Sequence, residues 1–217
     1  VVNNKKHIQL LQQIQASFQV EQKTFDNMVM PLVHKAVKYC QKLPDSSMYY
    51  AQPGGLFDFV LDRTAAAMAL LQQTLILEKD NNPSEEQRLW QYALFSAAML
   101  QGLGKLYTDY EIDIYDMHGY FIKRWQPLLE SIVTAGRYYD YKLLHGNDID
   151  FRNRITPLIA RKVLPKAGFE RIISNQEVFA TWLALLNEDK DSALGPLAAI
   201  LERANDIAIQ RDINNYL

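Results

Sequence analysis

The chain of 217 residues holds a single cysteine, Cys40, which excludes an internal disulfide framework and fits a reducing compartment. No apolar run approaches the roughly 20 residues that cross a bilayer, so no membrane-inserted segment is expected. Net charge is almost absent: 23 Lys and Arg against 25 Asp and Glu leave −2. That balance argues against a broad nucleic-acid footprint, although it permits a local basic patch. Glycine and proline are scarce, at 9 and 8 residues, and no repeat, linker or low-complexity tract interrupts the pattern. The first residues, Val1-Val2-Asn3-Asn4-Lys5-Lys6, do not form a signal peptide. Without an initiating Met, the chain is expected to be a fragment. What remains is 48% hydrophobic and 22% charged, a composition that folds rather than staying disordered. These limits describe a single domain spanning residues 1–217 and residing in the cytoplasm.

Apolar spacing is mostly of the three-four kind. Ile8, Leu10, Leu11, Ile14 and Phe18 outline a Gln-rich first helix, expected as an arm over residues 1–20 that packs on a partner or on a second copy. A second helix is expected from Gln22 to Leu43, kinked or broken at Pro31. A third should begin near Gly55 and run to about Leu75, ending at the polar stretch Glu78 to Pro83. Ser84 and Gln87 form a capping box for a fourth, which Gly102 and Gly104 stop. Alternation from Tyr110 to Ile122 around Met117-His118-Gly119 predicts a β-hairpin near 110–125. Further helices are expected near 128–144, 152–163, 175–187 and 191–214, with Pro157, Pro165 and Pro196 near their starts or junctions. The fold class is mainly α: a helical bundle carrying a small hairpin.

Three segments stand out together. They are Gln52-Pro53-Gly54-Gly55-Leu56-Phe57-Asp58-Phe59, the run Leu94 to Lys105 that ends Gln101-Gly102-Leu103-Gly104-Lys105, and Arg203-Ala204-Asn205-Asp206-Ile207-Ala208. In order and spacing they resemble the HD-domain at the N-terminus of conjugative relaxases of the MOBH, or TraI_2, type. Members of that family read approximately P-G-G-L-L-x-H, then A-A-L-L-H-D-I-G-K, then R-A-D-Q-x-S. The loop Leu43 to Ser47, Trp125-Gln126-Pro127-Leu128 and Thr181-Trp182-Leu183 are also similar to its pattern. The likeness spans roughly residues 25–213.

The resemblance implies a helical pocket in which imidazoles and carboxylates hold a divalent metal beside a phosphoester. This sequence departs at each ligand position that aligns. Phe59 stands in place of the first histidine, Gln101 and Gly102 in place of the His-Asp pair, and Asn205 in place of the distal aspartate. Tyr49 and Tyr50 occupy the stretch where the family carries additional histidines. A phenyl ring, two neutral amides and a bare glycine leave no charge to offset the dehydration of a divalent cation. Asp58, Asp62 and Asp206 lie one to three positions away, but one residue along a helix turns a side chain by about 100°. No metal and no cofactor is therefore expected, and the chain reads as a pseudoenzyme.

Other residues carry two readings each. Gly54-Gly55 suits a phosphate-cradling turn or a helix start needing positive φ or close approach. Tyr50, Lys105 and His145 are candidates for a residual pocket; Lys105 equally suits a solvated lysine, and His145, like His118, a surface histidine. Cys40 reads as a small buried apolar residue. Arg137, Tyr138, Tyr139 and Tyr141 mix aromatic and basic groups, as a single-strand nucleic-acid surface or a protein interface does, and the balanced charge favours the interface. The resemblance implies a catalytically inactive adaptor or scaffold subunit of a type IV secretion or conjugation apparatus, contacting proteins of its coupling complex. Such a subunit would lie in the cytoplasm, peripheral to the inner membrane, and a homodimer fits it. Two other classes stay open: a metal-dependent phosphohydrolase or nuclease with a rebuilt site, and a DNA- or nucleotide-binding module.

Overall fold

The computed structural model describes residues 4–74, 82–146 and 148–215. The helices are α1 (Lys5–Phe18), α2 (Gln22–Met28), α3 (Met30–Cys40), α4 (Gly55–Thr74), α5 (Glu85–Leu100) and α6 (Lys105–Thr108). The strands β1 (Tyr110–Tyr115) and β2 (Phe121–Arg124) follow, then α7 (Ile132–Ala135) and β3 (Tyr138–Leu143). The chain continues through α8 (Ile149–Val163), α9 (Lys166–Ile173), α10 (Gln176–Leu186) and α11 (Leu197–Asn214). The fold is mainly helical with a small antiparallel sheet.

The centre is α4, apolar on nearly every side, with α1, α5 and α11 laid against it. Leu56, Phe57, Val60, Leu61, Ala65 and Met68 are all buried along its length. Each large side chain so enclosed contributes about 1.5–3 kcal/mol. Of the α1 stripe, Leu10, Leu11, Ile14 and Phe18 are buried within the chain, where α1 packs on α4, and Ile8 is exposed. The break expected at Pro31 falls at Val29: α2 ends at Met28, and Pro31 sits in the first turn of α3, where its missing N–H costs nothing. The Ser84–Gln87 capping box forms with both reciprocal hydrogen bonds. Leu75 and the polar run Glu78–Asn81 lie outside the described residues.

The region after the hairpin differs from the expectation. Residues 128–144 form no long helix, but one turn (α7) and a third strand, giving the sheet order β2-β1-β3. Tyr110 to Tyr115 pair with Leu143 to Tyr138 in unbroken antiparallel register. Helical spacing of Leu128, Ile132 and Ala135 is overridden because Tyr138–Leu143 finds its hydrogen bonds on a strand more than twenty residues earlier. Gly136 allows the approach: a Cβ there would meet Ile114 Cγ2 at 2.3 Å. The short α6 and α9 were not expected either. Pro157 lies inside α8, whereas Pro165 and Pro196 stand at the starts of α9 and α11.

Candidate functional site

Local backbone demands shape the entrance to α4. Gly54 has φ +87°, and a Cβ on Gly55 would come within 1.8 Å of the Tyr50 carbonyl oxygen. The pair thus meets both requirements of a tight helix start. Beyond it, on one face of α4, lie Phe59 and Arg63, one turn apart. The C-terminus of α5 brings Gln101 and Gly102, the latter at φ +76° in open space. From α11 comes Asn205. These residues line a single cleft of about 290 Å³, with Lys105 and Arg152 on its wall. The four positions that sequence comparison grouped are therefore brought together.

The cleft is organised by a residue the sequence reading passed over. Arg63 is 3% exposed. Its Nε donates to the Ala98 carbonyl at 2.8 Å and its Nη2 to the Gln101 carbonyl at 2.9 Å. Its Nη1 makes a longer contact, 3.4 Å, to Asn205 Oδ1. The guanidinium lies 4.9 Å from the centre of the Phe59 ring. Asn205 Nδ2 in turn donates to Gln101 Oε1 at 3.3 Å, and Gln101 Nε2 to the Leu185 carbonyl at 2.8 Å. Every hydrogen-bond partner of this cation is neutral. Burial pulls its pKa down to about 10, which leaves it protonated at neutral pH. The i, i+4 relation to Phe59 is the signal that could have found it.

The surrounding charges are engaged elsewhere. Lys105 Nζ bonds to both the side chain (2.6 Å) and the carbonyl (2.8 Å) of Asp45, so it is a held lysine and not a solvated one. Arg152 pairs with Asp109 at 2.9 Å, and its Nε is buried without a partner. Asp58 lies 2.5 Å from His7 Nε2 and accepts from Gln52. Asp62 is held by Lys6 at 2.8 Å and faces Arg211 at 3.5 Å. Asp206 is exposed and borders an adjoining cavity of about 210 Å³ with Glu188, Asp189 and Glu202. None of the three nearby aspartates lines the Arg63 cleft.

Tyr50 is buried against the Phe59 ring, with centroids 5.4 Å apart. Its hydroxyl sits 2.8 Å from both Asp62 Oδ2 and the Ala208 carbonyl, and its N–H donates to Asp212. Burial and the Asp62 charge raise its phenol well above the usual range. His145 is exposed and outside the cleft. On the sheet, alternation divides the aromatic cluster. Arg137 and Tyr138 are exposed, with the guanidinium 6.0 Å from the Tyr138 ring, and Tyr141 is exposed as well. Tyr139 is half-buried, and its hydroxyl accepts from the Lys42 N–H. Trp125 and Trp182 are buried and donate to the Glu130 carbonyl and Ser96 Oγ respectively.

The donor set does not suit a divalent metal. Among the described residues no three His, Cys, Asp or Glu side chains gather at metal-binding distance. The group at the centre of the cleft is itself a cation. A dication about 4 Å from a guanidinium is repelled by about 8 kcal/mol at an effective dielectric constant of about 20.

No helix among the described residues is long and apolar enough to cross a membrane. No curated protein matches the chain. The model of the TraI_2 family, described as "Putative helicase", matches residues 1–216 and so takes in α1 as well as the three motif segments. The chain belongs to the TraI_2 family.

Proposed function

We propose that this chain is a non-catalytic, relaxase-like member of its family. It serves as an adaptor or scaffold subunit of a type IV secretion or conjugation apparatus and makes protein contacts within the coupling complex. The observation that carries this reading is Arg63, a buried cation standing among Phe59, Gln101, Gly102 and Asn205. Hydrolysis of a phosphoester at such a centre needs an ion that activates water, and the guanidinium can neither coordinate nor deprotonate one. The exposed Tyr138, Tyr141 and Arg137 suit a protein interface, and near-zero net charge disfavours nucleic acid as the main partner. The same reading has the protein in the cytoplasm, peripheral to the inner membrane through the secretion complex, and a homodimer fits it.

Two measurements test it. Protein purified without chelator should contain no stoichiometric manganese, iron or zinc, and should not cleave a phosphodiester substrate. Affinity purification from cells bearing the secretion apparatus should recover coupling-complex subunits. Bound metal with turnover, or recovery of no secretion component, would overturn the assignment.

A further inference from the structure

Away from the Arg63 cleft, one face of the molecule gathers cations. Lys35 and Lys38 lie on α3, and Arg161 and Lys162 in the last turn of α8, which packs on α3. Among the described residues none of the four forms an ion pair. Burial, then the charges of Arg161, Lys38 and Lys162, pull the half-buried Lys35 ammonium below its usual range. Helix dipoles favour Lys38, Arg161 and Lys162 at the ends of their helices, but Lys35 lies outside the last turn of α3. Arg161 is held over the Phe169 ring at 4.3 Å, so its guanidinium is positioned before any ligand arrives.

Beside this cluster lies a pocket of about 360 Å³ whose lining includes Met28, Pro31, Tyr92, Pro165, Ala167 and Arg171, and no carboxylate. Pro31 stands one turn before Lys35 on α3, and Pro165 three residues after Lys162. The acids nearest in sequence are engaged. Asp26 accepts from Gln22, Glu170 pairs with Lys166, and Glu130, near Tyr39, pairs with Lys123. With Lys166 and Arg171 the face carries six cations against Asp26 and Glu170, in a chain whose net charge is −2. We propose that this face docks an acidic segment of a partner protein, its carboxylates on the α3 and α8 cations and one apolar side chain in the pocket.

The pocket distinguishes this occupant from other polyanions. A nucleic-acid backbone could meet the cations, but it has no aliphatic group to bury. Stacking a base needs an open aromatic face, and Tyr92, the aromatic residue of the lining, is buried. A bilayer surface is too flat to fill a concavity, whereas a leucine or methionine side chain suits one. Complementary charge then sets orientation and partner choice. The inference rests on the adaptor reading, for which it supplies the chemistry of one partner contact.

The test titrates the intact chain calorimetrically with acetyl-Glu-Glu-Leu-Glu-Glu-amide, its Gln-Gln-Leu-Gln-Gln and Glu-Glu-Gly-Glu-Glu counterparts, and a short oligothymidylate. The Glu-Leu peptide should bind saturably and weaken as salt rises, and the Gln peptide should not bind in the same range. The Gly peptide should bind about tenfold more weakly, because it buries no apolar side chain. Lys38→Glu combined with Lys162→Glu, both exposed positions, should weaken the Glu-Leu peptide about tenfold. Lys5→Glu combined with Lys142→Glu changes the net charge equally at exposed positions elsewhere and should leave the affinity unchanged. Equal binding of the Leu and Gly peptides, tighter binding of the oligothymidylate, or the same loss from both double variants would overturn the proposal. These outcomes are separable from failure of the adaptor reading, which would show as metal uptake and phosphodiester turnover whatever the peptides do.

Discussion

Arg63 donates to α5 and reaches α11 from its place on α4, so one side chain ties three helices together. Arg63→Met should lower stability by about 1–3 kcal/mol, because the Gln101 and Ala98 carbonyls lose their partner. Arg63→Lys should restore little of it, since an ammonium on a flexible stem cannot serve three divergent acceptors. Urea unfolding midpoints of the two variants check both statements, and full recovery by lysine would contradict them. Two glycines provide a second contrast. A Cβ on Gly104 would meet the Arg152 carbonyl at 2.1 Å, whereas Gly54 has open space but φ +87°. Gly54→Ala should cost about 1–2 kcal/mol for its left-handed backbone. Gly104→Ala should cost more than that, because α6 must move off α8, and thermal melts of the pair give the ranking.

At the scale of elements, α1 is held to α4 by polar as well as apolar contacts. Burial opposes ionisation of Asp58, but hydrogen bonds from His7 and Gln52 and the charge of Lys6 outweigh it, leaving the carboxyl below its usual range. A depressed folded-state pKa adds stability above the unfolded value of about 3.9 and loses it as pH falls through the folded value. Asp58→Asn should therefore lower the melting temperature at pH 6–7. The gap to wild type should close as pH drops below about 4, and a constant gap across that range would refute the assignment. The same scale explains where sequence reading succeeded and where it did not. Helices whose caps and periodicity are local, α4 from Gly55 and α5 from Ser84, were legible within a residue or two at their starts. The strand Tyr138–Leu143 was not, because its hydrogen bonds lie on β1, and spacing within 128–144 contains no trace of that partner.

For the whole molecule, Cys40 reports on global opening. It is fully buried at the end of α3, and burial, reinforced by the Asp45 charge, pushes its thiol up to about 12. At pH 7–8 a thiol reagent should modify it no faster than the chain unfolds, and denaturant should accelerate labelling in step with the loss of helical circular dichroism. Fast labelling of the native protein would mean that α3 opens locally. The first helix bears on the same scale. The helix was expected to pack on a partner or a second copy; Leu10, Leu11, Ile14 and Phe18 lie within the chain's own core, α1 packs on α4, and Ile8 is exposed.

By itself the sequence determined that the chain is mainly helical, and that four motif positions carry Phe59, Gln101, Gly102 and Asn205. These properties depend on residue type and short-range spacing, which are readable one segment at a time. Only the tertiary structure decided what stands between those positions. Arg63 gains its meaning from carbonyls more than thirty residues away and an amide from the last helix, and Asp58 and Asp62 are drawn toward α1 rather than the cleft. Which charge faces which cavity follows from how helices distant in sequence are oriented against one another, and no local pattern encodes that orientation.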